Sequence, residues 1–387
     1  MTKKLGLGAS RGRRVIYLVT TAGHPNYGDE IIVRRWLRLL ARTEPDADVW
    51  IDTPAPGPSA ALFAGEHPRL RATDTLYRLC WEAPSDKPRD VAEFVRRALS
   101  EPGEAPRWIP GIELLRTVDV FHVVGGGYVN TIWPRHLGLV AAAGWMAENT
   151  RARVGATGLG LLPCTDDALD VWREAAPRFD VLTVRDAASA ELLSEVGRPT
   201  QAAPDDVFLG GLAAAYESRA RRSPDLMVCV QSDMYDGDPD RVTDYVRRVL
   251  QSWGAASRTV GFVECIPRGD RRIYDALRDE IPHARFYPPW EILAEGLPAR
   301  SGQRWVSSRY HPHLLAAAAG AEGIALSLSD DYYGIKHAAV TALGSGWRVA
   351  SLRDAETSAG GPGDLPARAE SYSKNLFETA RRLYRAS

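Results

Sequence analysis

Cysteine is scarce in this chain. Cys80, Cys164, Cys229 and Cys265 lie far apart in the sequence and form no C-x-x-C pair. They argue neither for a zinc site nor for a disulfide framework, and they suit a reducing compartment. A charge surplus is also missing: 48 lysines and arginines stand against 49 aspartates and glutamates, for a net charge of -1. Nucleic-acid binders usually carry a basic surplus, because phosphate neutralisation supplies most of their affinity, so no nucleic-acid partner is expected. The local clusters (Arg11, Arg13 and Arg14; Arg219, Arg221 and Arg222; Arg268, Arg271 and Arg272) read as solvated faces. No run approaches the roughly 18 apolar residues of a membrane span. The basic start MTKKLGLGASRGRR has no apolar h-region after it, so it does not read as a signal peptide. A cytoplasmic location is expected, with the basic start offering contact to the inner face of a membrane.

At 387 residues, 45% apolar and 25% charged, the chain has the profile of a globular protein with room for two domains. Short β-rich runs alternate with helical spacing: VIYLVTTA from Val15, DEIIVRRWLRLLAR from Asp29, VDVFHVVGGG from Val118, HLGLVAAAGWMAEN from His136, RVGATGLG from Arg153 and VLTVRD from Val181. Such alternation implies βαβ units and mainly parallel sheets. It pauses at LAAAYESRARRSPD, residues 212–225, which reads as a helix and a charged linker, then restarts with LMVCVQS from Leu226. The division expected is residues 1–213, residues 214–365, and a closing helix in 366–387. This is an α/β protein of two Rossmann-like domains whose sheets face a central cleft. In open α/β sheets ligands bind beyond the carboxyl ends of the strands, so functional residues belong where strands end and helices begin.

Six segments fit that position. In GHPNYGDE, residues 23–30, Gly23 and Gly28 permit tight turning, Asp29 is a good N-cap, and Asn26 is a polar contact for the cleft. Three successive glycines, Gly125, Gly126 and Gly127, precede Tyr128 in VVGGGYVN; they imply a close approach to the backbone or a flexing loop. Neither this loop nor GATGLG, residues 155–160, matches G-x-G-x-x-G, so a nicotinamide cofactor is not indicated. In VRDAAS, residues 184–189, Asp186 reads as a cap and Arg185 as a strand-end guanidinium, for an anion in the cleft or for a nearby acidic side chain. Asp205 and Asp206 either meet a sugar hydroxyl or close a turn.

In RYHPHLLAAAAG, residues 309–320, Pro312 suits the first helical position, which places His311 at the N-cap and Arg309 at the strand end. His311 and His313 are two apart and make a poor metal pair. A positive helix end opposes charge on the imidazole, and a bound polyanion reverses that and yields an acid. Lys336, in DDYYGIK, either completes an anion pocket or faces solvent, and PRGD, residues 267–270, lies on the rim of the second half. Among the eleven tryptophans, Trp133, Trp145 and Trp290 lie near strand ends or loops, where an indole face could carry a sugar ring or pack in a core.

The order of these segments resembles the polysaccharide pyruvyltransferase family. The resemblance is carried by Asn26, Tyr27, Gly28 and Asp29; by Gly125, Gly126 and Gly127; by Gly158 and Gly160; by Arg185, Asp186 and Ser189; by Arg309 and His311; and by Tyr333 and Lys336. Leu162 and Gly334 stand where the family usually has glycine and aspartate. The match runs from about residue 14 to 345. It implies a GT-B-type pair of domains and a pyruvate ketal formed between phosphoenolpyruvate and two hydroxyls of a sugar-containing acceptor, saccharide or glycolipid. On that reading His311 is the general acid, Arg309 and Arg185 orient the anion, and Lys336 joins the same pocket. Asn26, Asp29, the glycine triplet and Tyr128 then border the acceptor. No metal and no cofactor is demanded, phosphoenolpyruvate being a co-substrate. The competing readings are a GT-B glycosyltransferase using a nucleotide sugar and a non-catalytic two-lobed sugar- or anion-binding protein.

Overall fold

The computed structural model describes residues 12–218, 220–231, 235, 237–329 and 334–385. In the first half, β1 (Val15–Val19), α1 (Tyr27–Thr43), β2 (Asp48–Asp52), α2 (Pro56–Leu62) and β3 (Leu70–Thr73) come first. Then follow α3 (Thr75–Glu82), α4 (Pro88–Ser100), α5 (Ile109–Leu115), β4 (Val120–Val123) and α6 (Leu137–Asn149). The half ends with β5 (Arg153–Leu159), α7 (Asp166–Ala175), β6 (Val181–Val184) and α8 (Ala187–Glu195). The second half opens with β7 (Leu226–Cys229), α9 (Pro239–Ser252), β8 (Val260–Val263), α10 (Arg271–Leu277) and β9 (Arg285–Tyr287). It continues with α11 (Pro289–Glu295), β10 (Arg304–Ser307), α12 (Tyr310–Ala318), β11 (Glu322–Ser327), α13 (Ile335–Ala342) and β12 (Arg348–Ser351). The long α14 (Leu365–Tyr384) comes last.

All named strand pairs are parallel. The orders are β3-β2-β1-β4-β5-β6 and β12-β11-β10-β7-β8-β9. Counted from its own first strand, each sheet therefore repeats one doubly wound pattern, with the strand order reversing between β1 and β4 and between β7 and β10. Strands buried on both faces need continuous apolar runs, and the central ones have them: four of five residues in β1 and all four in β4 and in β7 are buried. Helix α6 is buried from Leu137 to Met146, as expected of a helix that is apolar all round.

One apolar cluster packs the outer face of the first sheet and another that of the second. A third is shared by both halves: it joins Ile16, Leu18 and Trp36 to Leu314, Trp347, Leu376 and Leu383. Helix α14 belongs to this shared layer and returns to the first sheet. There Arg153 donates to the carbonyls of Leu383 and Arg382, and the Tyr384 hydroxyl lies 2.7 Å from Nδ1 of His122.

Three local expectations are corrected. The described residues of 212–225 form no α-helix, only 3-10 turns at Ala213–Ala215 and Ala220–Arg222. Gly210 and Gly211 both adopt positive φ before it, and the backbone of 215–217 bonds to Leu297 instead: Leu297 N–H to Ala215 at 2.8 Å and Glu217 N–H to Leu297 at 3.1 Å. The cap of α1 is Asn26, whose side-chain oxygen accepts from the Gly28 N–H, and Asp29 lies in the first turn. Helix α12 starts at Tyr310 with Arg309 at its N-cap, so His311 and Pro312 fall two positions further into the helix than the sequence implies.

Candidate active site

A cavity of about 430 Å³ opens where the two points of reversal face each other. It takes Asn26, Gly28 and Asp29 from the segment after β1, and Gly127 and Tyr128 from the loop after β4. Arg185 enters after β6, and Arg309 and His311 after β10. Lys336 comes from α13, beyond β11. Residues as far apart in sequence as Asn26 and Lys336 thus border one space. Tyr333, the partner of Lys336 in the sequence motif, lies outside the described residues, as do Asp330, Asp331 and Tyr332.

Arg185 follows β6 directly and its backbone N–H bonds to Leu159 at 3.0 Å. Its guanidinium carbon stacks 4.2 Å from the centroid of the Tyr310 ring, and Nη1 lies 3.5 Å from Asp205 Oδ2. The acidic partner foreseen as an alternative role for Arg185 is therefore present, and the same guanidinium still lines the cavity. The glycine triplet makes room for it: a Cβ on Gly127 would lie 2.5 Å from Nη2, and one on Gly160 3.0 Å from Nε. Gly126 itself has φ +152°, which glycine adopts freely.

Arg309 reaches the same space from the second half. Its Nε and Nη2 both donate to Asp270 Oδ1, at 2.9 and 2.7 Å. The other oxygen of Asp270 accepts the N–H groups of Cys265 and Ile266, at 2.8 and 3.1 Å. Burial alone would depress the guanidinium, and Asp270 more than reverses this, so Arg309 stays charged. Sequence reading placed Asp270 only on a rim; it is the residue that fixes Arg309. The fold also brings Cys229 and Cys265, distant in sequence, to 3.6 Å between sulfurs beside Asp270. These three form a grouping with ligand spacing, but both oxygens of Asp270 are already engaged.

His311 is 9% exposed. Its Nε2 lies 3.5 Å from Asp205 Oδ1 and has no hydrogen-bond partner. Its ring packs on α1, where only glycine fits: a Cβ on Gly28 would lie 1.9 Å from Nδ1. Alanine at position 28 is favourable for a helix by about 1 kcal/mol, yet it must displace the imidazole. Gly28→Ala is expected to keep its far-UV circular dichroism and to lose about 100-fold in turnover; normal turnover would mean that the imidazole's position is immaterial.

The charges here act on one another. Burial raises the Asp29 carboxyl against the pull of His311, Arg185 and Lys336, and Asn26 Nδ2 donates to it at 2.8 Å. Burial would raise Asp205 too, but His311, Arg185 and the Val207 N–H outweigh it and hold it low. Lys336 is driven well below the usual lysine value, by burial first and then by Arg185 and Arg309. Behind the glycine loop, burial pushes Asp206 up to about 7 while Oδ2 accepts from Trp36 Nε1 at 2.8 Å, Thr157 Oγ1 at 2.5 Å and Gly125 N–H at 3.3 Å.

The opposite wall is aromatic. Trp133 (38% exposed) and Trp81 (52% exposed) both line the cavity around His136. Of the three tryptophans that the sequence offered as sugar platforms or core residues, Trp133 lines the cavity. Trp145 is buried in α6 and Trp290 lies outside the cavity lining. Trp81 had no sequence signal beyond its residue type. His136 donates from Nδ1 to the Tyr128 carbonyl at 2.8 Å, and burial lowers it to about 4, so it is neutral. The Tyr128 hydroxyl is spent on the carbonyls of Val124 and Val19, at 2.7 and 3.1 Å.

Two six-stranded parallel sheets with helices on both faces and a cleft between them make this a two-domain α/β protein of GT-B type. It belongs to the polysaccharide pyruvyl transferase family, whose model matches residues 26–330, and with it to the transferases. Solved structures of similar shape include MnaA from S. aureus in a co-structure with UDP (9% identity, TM-score 0.52, 96% of this chain and 90% of that one). Another is UDP-GlcNAc 2-epimerase from Neisseria meningitidis bound to UDP-GlcNAc (10% identity, TM-score 0.52, 94% of this chain and 100% of that one). At such identities the likeness concerns the fold alone. Comparison with curated proteins finds no match. No helix among the described residues is long and apolar enough to cross a membrane.

Proposed function

We propose that this protein forms a pyruvate ketal on a sugar, with phosphoenolpyruvate as donor and His311 as general acid. The observation that carries the reading is the gathering of Arg185, Arg309, Lys336 and His311 around one cavity. A three-carbon frame bearing both carboxylate and phosphate needs convergent cations. Arg185 and Arg309 hold these two groups, and Lys336 neutralises the remaining charge. His311 gives a proton to the methylene carbon while one sugar hydroxyl attacks the adjacent carbon. Phosphate leaves, assisted by the guanidinium groups, and a second hydroxyl of the same sugar closes the ketal. One hydroxyl proton balances the new methyl group and the other leaves with phosphate. The acceptor ring rests on Trp133 and Trp81, with Asp29 and Asn26 meeting its hydroxyls; the scheme needs no metal and no cofactor.

The test is incubation of purified protein with phosphoenolpyruvate and candidate saccharides and glycolipids. Phosphate release together with an acceptor mass gain matching a pyruvate ketal is expected. Thermal stabilisation by UDP or GDP and none by phosphoenolpyruvate would favour the nucleotide-sugar reading instead.

Lys336 adds a pH signature. In an unfolded chain a lysine keeps its proton to about pH 10.4. The folded, anion-free protein releases it at lower pH, and a bound phosphoenolpyruvate restores it. Binding therefore takes up a proton, and affinity falls as pH rises through the lowered value. Calorimetric enthalpies should differ between buffers of different ionisation enthalpy, and Lys336→Met should reduce that difference. Equal enthalpies in the parent would contradict this role.

A further inference from the structure

A second, smaller cavity of about 100 Å³ lies where the halves meet. Helix α1 supplies Arg34, Arg35 and Arg38 to it, and the second half closes it with Ala215 and the C-terminal end of α11. Two of these arginines have obvious occupations. Glu66 pairs with Arg34 at 3.0 Å and with Arg38 at 2.7 Å, and Arg34 also donates to the Leu293 carbonyl of α11.

Arg35 has none. It is 6% exposed, its Nη2 is fully enclosed without a hydrogen-bond partner, and the Tyr27 hydroxyl beside it is equally unmatched. Among the described residues no carboxylate pairs with Arg35; Glu295, on the rim of the cavity, is exposed. Burial first, then Arg38 and Arg34, drag its guanidinium below the ordinary arginine value. A buried cation left without a counter-charge is among the costliest arrangements in a folded protein. Its planar fork is built to hold an oxyanion through two parallel hydrogen bonds.

We propose that this cavity is a binding site for a small oxyanion of the phosphate class, held by Arg35 with help from Arg34, Arg38 and the Tyr27 hydroxyl. The volume suits one tetrahedral group and is less than a quarter of that of the catalytic cavity. The anion would bridge α1 to α11 beside the Arg34–Leu293 contact and so brace the two halves against each other. The site is separate from the catalytic cavity and does not depend on which donor that cavity uses.

Melting of the full chain and of Arg35→Met, with and without inorganic phosphate at constant ionic strength, tests this. In phosphate-free buffer the variant should melt at or above the parent, because it loses an uncompensated buried charge. At about 100 times the dissociation constant the parent should gain about 3 °C more than the variant. The catalytic cavity is common to both proteins, so its own response cancels. An equal response of the two proteins to phosphate and to glycerol 1-phosphate alike overturns the site, whatever the starting melting temperatures. Glycerol 1-phosphate is the second probe: a parent-specific shift with phosphate marks a free anion, and one with the ester alone marks a phosphate carried on a larger molecule; either supports the site. Crystals soaked in selenate should show density at Arg35, and density confined to the catalytic cavity would overturn the proposal.

Discussion

On the proposed mechanism, His311→Ala is expected to lower phosphate release from phosphoenolpyruvate by about 10²- to 10⁴-fold, the range general acid catalysis supplies, while the protein stays folded. Among the described residues the imidazole Nε2 makes no hydrogen bond and only faces Asp205 at 3.5 Å. Removing it leaves Asp205 with Arg185 at 3.5 Å and with the Val207 N–H at 2.9 Å. The cations that hold the anion remain, so the loss belongs in kcat, with the affinity for phosphoenolpyruvate little changed. Rapid-quench measurement of phosphate, with calorimetric binding beside it, separates the two. A His311→Ala enzyme with parental turnover would remove the mechanism.

Asp270→Ala should be the most destabilising single change at the site. It leaves Arg309, largely buried at the cavity wall, with its two donors to Asp270 unmatched and also strips the acceptor from the N–H groups of Cys265 and Ile266. Breaking a buried pair from one side costs about 3–5 kcal/mol, readable as a shift of the urea midpoint. Arg309→Met with Asp270→Leu removes both charges, so it should recover much of the stability and none of the activity. Recovery of activity by the double variant would show that Arg309 is there for packing. Equal destabilisation by the single and double variants would show that the ion pair contributes nothing of its own.

The alternation of β-runs and helical spacing was enough to place β1, β4, β6, β7 and β10 and to locate the loops at their carboxyl ends. All but β6, which lies at an edge, are central, and all five are mostly buried, which favours apolar runs. Strands β3, β9 and β12 are short edge strands with half-exposed residues, and their sequences LRAT, RFY and RVAS offer no comparable pattern. Arg185, Arg309, His311 and Lys336, which line the cavity, could be singled out because each sits at a strand end or helix start. Their partners could not. Asp270 meets Arg309 across 39 positions, and Asp205 stands between an arginine of one half and a histidine of the other. The first joins the ends of two strands of one sheet and the second spans the two halves, and no local spacing encodes either. Trp81 escaped notice for the same reason: it comes from a short helix whose importance arises only from what lies opposite.

The return of α14 to the first sheet bears on how the chain is made. Synthesis delivers β1 to β6 early, and amino-terminal units ordinarily fold as they emerge. Here the surface around His122 and Arg153 is finished by Tyr384, Leu383 and Arg382, which are translated after the whole second sheet. The early lobe must therefore wait, incompletely covered, until the later one has been threaded past it.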